Sequence, residues 1–183
     1  RLITGDGAAK YVNTPETPLY HKRESLFGIN IAKETIKKTG NVFLVEGEFD
    51  MITPFQHGFE NFVAIKGSAV TREQLAILKR LTNKITLALD GDNAGLEAAK
   101  RGIDAAEYLD FEIQVVTFEE GKDPDEALKK DPIQFKKSIR SPLPIYDFLF
   151  SLALSKHPGN DAFSKKNIAD EMAPFIGNIG NPI

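Results

Sequence analysis

Three groups of carboxylates, each placed just after an apolar run, are the residues of this sequence best suited to chemistry. Glu46-Gly47-Glu48-Phe49-Asp50 follows the run Val42–Val45. Asp90-Gly91-Asp92 follows Ile85–Leu89, and Gly121-Lys122-Asp123-Pro124-Asp125-Glu126 comes soon after Ile113–Phe118. A carboxylate at such a position borders a low-dielectric interior, where an unpaired charge is costly, and acids that converge repel one another. A hard divalent cation, Mg2+ or Mn2+, relieves both problems, since it takes carboxylate oxygens and leaves water positions open for phosphates. Gly47 and Gly91 permit tight turns and a close approach of ligand to backbone.

Each acid also has a structural reading. Asp50, four residues after Glu46, lies over the same helical turn or serves as a helix N-terminal acid favoured by the macrodipole. Asp123 precedes Pro124 and stands three residues before Glu126, the pattern of a helix N-cap. Asp90-Gly91-Asp92 reads as a turn or as a ligand pair at a strand end. Glu48, Glu119 and Glu120 read as solvated.

Composition narrows the field. The 183 residues contain no cysteine, which excludes disulfide scaffolds, Cys-ligated zinc and thiol catalysis. The three histidines, His21, His57 and His157, are scattered, so a metal here is expected on oxygen ligands. With 42% hydrophobic and 27% charged residues the chain reads as globular. No apolar run approaches the ~18–20 residues of a membrane span, and no signal-peptide pattern opens the chain; the expected location is cytoplasmic. A net charge of −3 argues against nucleic-acid binding through overall positive charge. The charge is uneven, however: residues 1–40 carry seven Lys/Arg against four Asp/Glu, and residues 41–130 carry ten against seventeen. A local basic strip beside an acidic centre is compatible with that distribution.

The elements that must position these acids follow from periodicity. Strands are expected at Val42–Val45, Phe62–Ile65, Ile85–Leu89 and Ile113–Phe118. Helices are expected at Phe49–His57, Thr71–Leu81 and Asn93–Leu109, with a capping box at Thr71-x-x-Gln74. Apolar strands alternating with helices imply an α/β fold, a mostly parallel sheet covered on both faces, whose ligands sit off the C-terminal strand ends. Before this unit, Gly5-Asp6-Gly7 reads as a hairpin turn, residues 13–18 as a Pro-stiffened loop, and Glu24–Lys38 as a helix closed by Gly40. After it, Asp131-Pro132 starts a helical region with segments at Ile133–Ile139, Ile145–Leu154 and Asn167–Phe175. The chain opens without an initiator Met and ends on Gly177, Gly180 and Pro182. It is expected to be a piece of a longer protein.

The order Val45-Glu46-Gly47-x-x-Asp50, then Leu89-Asp90-Gly91-Asp92-x-Ala94-Gly95, is similar to the two signature segments of Toprim domains. The stretch from Lys10 to Lys22, followed by Leu26-Phe27-Gly28, resembles the segment that precedes this domain in bacterial DnaG-type primases. Phe62–Thr71, with Lys66-Gly67-Ser68-Ala69, resembles their second strand and its loop, and Gly121–Glu126 resembles their third acidic motif. The resemblance covers about residues 5–135. It implies a Toprim domain at 41–130, the end of an N-terminal α+β subdomain at 1–40, and the start of a helical C-terminal subdomain at 131–183. It further implies Glu46, Asp90 and Asp92 as central metal-binding acids, with Asp50, Asp123 and Asp125 completing the set. Lys10 and Lys22 would stand on a basic face near template or nucleotide phosphates.

The implied activity is a DNA-directed RNA polymerase of primase type, making short RNA primers by two-metal nucleotidyl transfer with Mg2+ or Mn2+. Glu46 acts in this either as a base or as a ligand. The implied partners are a single-stranded DNA template, ribonucleoside triphosphates and the RNA primer. A replicative helicase and a zinc ion would belong to domains outside this chain; the protein is expected to be monomeric and to touch no membrane. A Toprim-type nuclease, or another Toprim phosphotransfer protein, is the alternative enzyme. A phospho-acceptor regulatory domain is the non-enzymatic alternative, and it does not explain the segment at 10–28.

Overall fold

Runs rich in Val, Ile and Phe build the sheet. The structure, a computed structural model, describes residues 15–65, 70–89, 103, 105–118 and 123–177. Strands β1 (Val42–Val45), β2 (Phe62–Ala64), β3 (Lys84–Leu89) and β4 (Glu112–Thr117) pair in parallel, and β5 (Leu143–Pro144) adds antiparallel to β4. The order across the sheet is β2-β1-β3-β4-β5. All four strands expected from sequence are present, with ends shifted by at most one residue.

Both faces of the sheet are covered, as apolar strands require. Val42 and Leu44 of β1 join Val63, Ile85, Leu87, Ile113 and Val115 on one face. Phe43 and Val45 join Phe62, Ala64, Ala88 and Val116 on the other. Helices α1 (Ile29–Thr39), α3 (Arg72–Lys79), α6 (Ile145–Lys156) and α7 (Ala162–Ile176) close the first face through Ile36, Leu75, Leu149, Ile168 and their neighbours. Helices α2 (Glu48–Gln56), α4 (Pro124–Lys130) and α5 (Pro132–Arg140) close the second through Met51, Leu128 and Phe135. Phe135 lies under three rings, with centroids 5.1 Å from Phe118, 5.4 Å from Phe59 and 6.2 Å from Phe62.

The expected helix at Glu24–Lys38 begins later, at Ile29. Lys22–Glu24 forms a single 3-10 turn, and Phe27 is drawn into the sheet edge instead: its N–H donates to Ala64 O at 2.9 Å and its O accepts from Ala64 N at 3.0 Å. Gly28 then turns the chain into α1 at φ +84°, a conformation that favours glycine, and a Cβ there would stand 2.3 Å from Met51 Cε. Tertiary pairing has overridden local helix propensity. Gly40 closes α1 in the left-handed region, as its position suggested. In the C-terminal part, α7 starts before the expected Asn167 because Asp161 caps it, accepting from Phe163 N and Ser164 N. Of the expected helix Asn93–Leu109, residues 103 and 105–108 are helical. Leu109 stands in the turn that follows; residues 93–102 and 104 lie outside the described residues, as does the turn at Gly5-Asp6-Gly7.

A buried glutamine docks the segment preceding α1. Gln74, 1% exposed, takes the Thr71 N–H on Oε1 at 2.9 Å and donates through Nε2 to Ser25 O at 2.8 Å, Ile65 O at 3.1 Å and Lys22 O at 3.3 Å. Thr71 completes the capping box and donates to Arg23 O at 2.5 Å. Lys22 is therefore pinned beside the C-terminal end of β2.

Replacing Phe135 by Ala should destabilise the fold by about 3–5 kcal/mol, the usual cost of emptying a buried phenyl site. Urea unfolding of the two proteins measures it. A loss under 1 kcal/mol would mean that the ring stack does not hold α5 to the sheet.

Candidate functional site

The connections leaving β1 and β3 part in opposite directions. From β1 the chain passes through α2 to β2 on one side; from β3 it passes to β4 on the other. Open parallel sheets bind ligands at such a switch point, beyond the carboxyl ends of the strands. Here the two strands are hydrogen-bonded neighbours, with Leu44 paired to Leu87. Two further residues along that register bring Glu46 level with Leu89, the residue before Asp90. Glu46 is half-buried at this rim. Asp90, Gly91 and Asp92 lie outside the described residues, as does Lys10.

Gly47 caps α2 in an extended conformation. Its N–H donates to Asp50 Oδ2 at 3.1 Å, so the acid at the third helical position reaches back to the cap as in a capping box. Asp50 is 7% exposed, and its Oδ1 accepts from the backbone N–H of Asp125 at 3.3 Å. One buried carboxylate thus ties the loop after β1 to the first turn of α4. Of the two sequence readings of Asp50, the helix N-terminal acid is the one seen, since Glu46 stands before the Gly47 cap and outside α2; Asp50 lies in addition against the third acidic motif.

Asp123 caps α4, its Oδ1 accepting from Glu126 N at 2.7 Å, with Pro124 at the first helical position. Asp125 faces α2. Its Oδ1 accepts from Thr53 Oγ1, and its Oδ2 from Lys129 Nζ at 2.7 Å. The Asp125 side chain is 16% exposed and that of Lys129 is 59% exposed. Burial pushes the Asp125 carboxyl up, but the hydrogen bonds from Lys129 and Thr53, with the Lys129 charge, outweigh it and hold the group below its ordinary 3.8. The Thr53 carbonyl in turn lies 2.9 Å from His57 Nδ1. Thr53 and Lys129 carried no motif; only the packing of α2 on α4 brings them to Asp125.

Glu46, Asp50, Asp123 and Asp125 therefore all stand on the two loops and helix starts that face α2 and α4. Asp50 and Asp125 are joined to each other through a backbone amide, and Asp123 is engaged as a cap. Among the described residues no cluster of three or more acid or histidine side chains forms a metal site by itself. Lys22, on the 3-10 turn held by Gln74, donates its N–H to Glu16 Oε1 at 3.2 Å. Gln74 is the residue that sequence reasoning missed as a positioning group; its capping-box role was visible, its three carbonyl contacts were not. No helix among the described residues is long and apolar enough to cross a membrane.

Residues 43–128 match the Toprim-like family model, and residues 1–33 match that of the DNA primase catalytic core, N-terminal domain. The chain is 34% identical to a DNA primase of Clostridium acetobutylicum over 170 residues, which is 92% of the chain and 27% of that protein. It superposes on the Aquifex aeolicus primase structure comprising zinc-binding and RNA polymerase domains with a TM-score of 0.81 at 33% identity, covering 98% of the chain and 43% of that structure. A DnaG primase catalytic domain bound to ssDNA matches with a TM-score of 0.78 at 26% identity, over 96% of the chain and 58% of that structure. The chain spans about a quarter of the length of the curated relative.

The Lys129–Asp125 contact yields a pH signature. Because the folded-state value of Asp125 is lowered, the stability it brings is present above 3.8 and is lost as the pH falls through that lowered value. Lys129→Met should cost about 0.5 kcal/mol at neutral pH, the scale of an exposed i,i+4 pair. Urea midpoints of variant and wild type should be separate at neutral pH and converge in acid. Equal midpoints at neutral pH would contradict the assignment.

Proposed function

The chain belongs to the bacterial DnaG-type primases, and on that premise we propose that it forms part of a primase catalytic core that copies single-stranded DNA into short RNA primers. The observation that carries the reading is the switch point between β1 and β3, where Glu46 follows one strand and Asp90 follows the other in sequence. In this reading residues 1–40 close an N-terminal subdomain, 41–130 form the Toprim domain, and 131–183 begin a helical subdomain.

Glu46, Asp90 and Asp92 would hold the divalent cation. The donor set fits: it is all carboxylate, it borders an apolar sheet, and it suits Mg2+ or Mn2+. When bound, such cations, two in the full reaction, lower the pKa of the attacking 3′-hydroxyl and neutralise charge on the departing pyrophosphate. Asp50 keeps the Gly47 turn and the start of α4 in fixed relation, so that Asp123 and Asp125 are presented at the same rim. Lys129 and Thr53 orient Asp125. Lys22 and Lys10 would hold template or nucleotide phosphates without reading bases. Ribonucleoside triphosphates and the RNA primer are the further ligands of this reading. A zinc ion is assigned to another domain, in keeping with the separate zinc-binding domain of the Aquifex structure, and a helicase contact is assigned to a further domain outside this chain. In this reading the protein works as a monomer in the cytoplasm.

The full-length protein, given a single-stranded template, ribonucleotides and MnCl2, should make short RNA. Asp90→Ala should reduce the product by at least about a hundredfold, as loss of a metal-holding group does, with an unchanged melting temperature. Undiminished synthesis by that variant, or cleavage of the template in place of synthesis, would overturn the proposal.

A further inference from the structure

Helix α5 carries two different faces. Phe135 and Ile139 turn inward to the ring cluster. Ile133, Lys136, Lys137 and Arg140, at spacings of three, four and seven residues, share the opposite stripe. Ile133 is 71% exposed, and the three cations are exposed as well. This stripe forms one wall of a groove of about 470 Å3 whose floor is Phe59 and Leu128. Among the described residues none of these three cations has a carboxylate partner, whereas Lys129 on the preceding helix is already neutralised by Asp125. An apolar floor with an unneutralised basic rim is complementary to a ligand of the reverse character.

The groove lies away from the proposed reaction site. Helix α2 starts at the rim beside Glu46 and runs nine residues, about 13 Å. His57 and Phe59, which border the groove, occupy the turn that leads into the beginning of β2. The groove therefore opens at the N-terminal ends of the strands, opposite the switch point. A template strand engaged beyond Glu46 has no reason to be held there. Nor would phosphates alone use an exposed Ile133 or the Phe59 floor.

We propose that this groove is a docking site for an acidic peptide segment of a partner protein, one that sets an aliphatic or aromatic side chain on Phe59 and Ile133 while its carboxylates meet Lys136, Lys137 and Arg140. Aromatic and aliphatic anchors carry the affinity of such contacts, and the charged rim sets on-rate and selectivity.

The test uses the full-length protein and a fluorescein-labelled peptide of alternating Asp and Glu with a central Leu-Phe pair, followed by anisotropy. The peptide should bind, and binding should weaken as salt is raised. A control peptide with Ser-Ser in place of Leu-Phe should bind at least about tenfold more weakly. The double variant Lys136→Glu/Lys137→Glu should lose at least about tenfold in affinity, and Ile133→Ser should lose affinity while keeping every charge. Both variants change exposed side chains, and their melting temperatures and primer synthesis should match wild type. Absence of peptide binding, equal binding by the double variant, or displacement of the peptide by a single-stranded oligonucleotide would overturn the proposal.

Discussion

The parallel pairing of β1 with β3 is the constraint on which the site depends. Two neighbouring strands that run the same way, and whose connections then diverge, leave a crevice at their carboxyl ends with no loop crossing it. Register matters as much as direction. Phe43 stacks on Phe62 at 4.6 Å, with planes 10° apart. A slip of one residue would exchange Phe43 and Val45 for Val42 and Leu44 on the face that receives α5. Ring packing between β1 and β2, with the Asn41 Nδ2 donation to Thr86 Oγ1 at 3.0 Å where β1 and β3 begin, thus holds the register from which Glu46 emerges.

Carboxylates at the rim have divided duties. Burying Asp50 would be costly without partners, and two backbone amides supply them. Asp125 is satisfied by a hydroxyl and an ammonium. These two acids fasten α4 to α2, and that fastening brings the third acidic motif beside the first although seventy residues separate them. Acids spent on such links shape the site even where a cation does not touch them. The same helix pair passes the geometry onward to α5, whose inner face is fixed by Phe135 and whose outer face is left free for contact.

Much of this was legible in the sequence. Four strands were readable because each is apolar on both faces and bounded by turns, and Thr71, Asp123 and Asp131 announced their helices through capping patterns. The failures share one cause. Leu26-Phe27 reads as helix by periodicity, yet Phe27 pairs with Ala64 across the sheet edge. Leu143–Pro144 is too short for any period to reveal, and it becomes a strand only because β4 offers an open edge. Gln74 looked like half of a capping box, and its other hydrogen bonds go to carbonyls nine to fifty-two residues away. For the candidate site, type and position marked these acids only as candidates. Which of them serve as structural links could not be read, because Thr53 and Lys129 reach Asp125 only after the helices have packed.

Whether Glu46 and the Asp90/Asp92 pair share divalent cations across the β1–β3 crevice is answered by anomalous diffraction from crystals of the full-length protein soaked in MnCl2. A Mn2+ peak should stand at about 2.1 Å, the metal–oxygen distance of small divalent cations, from a carboxylate oxygen of Glu46 and from one of Asp90 or Asp92. Mn2+ held elsewhere, with Glu46 turned away from it, would show that these acids do not form one cation site.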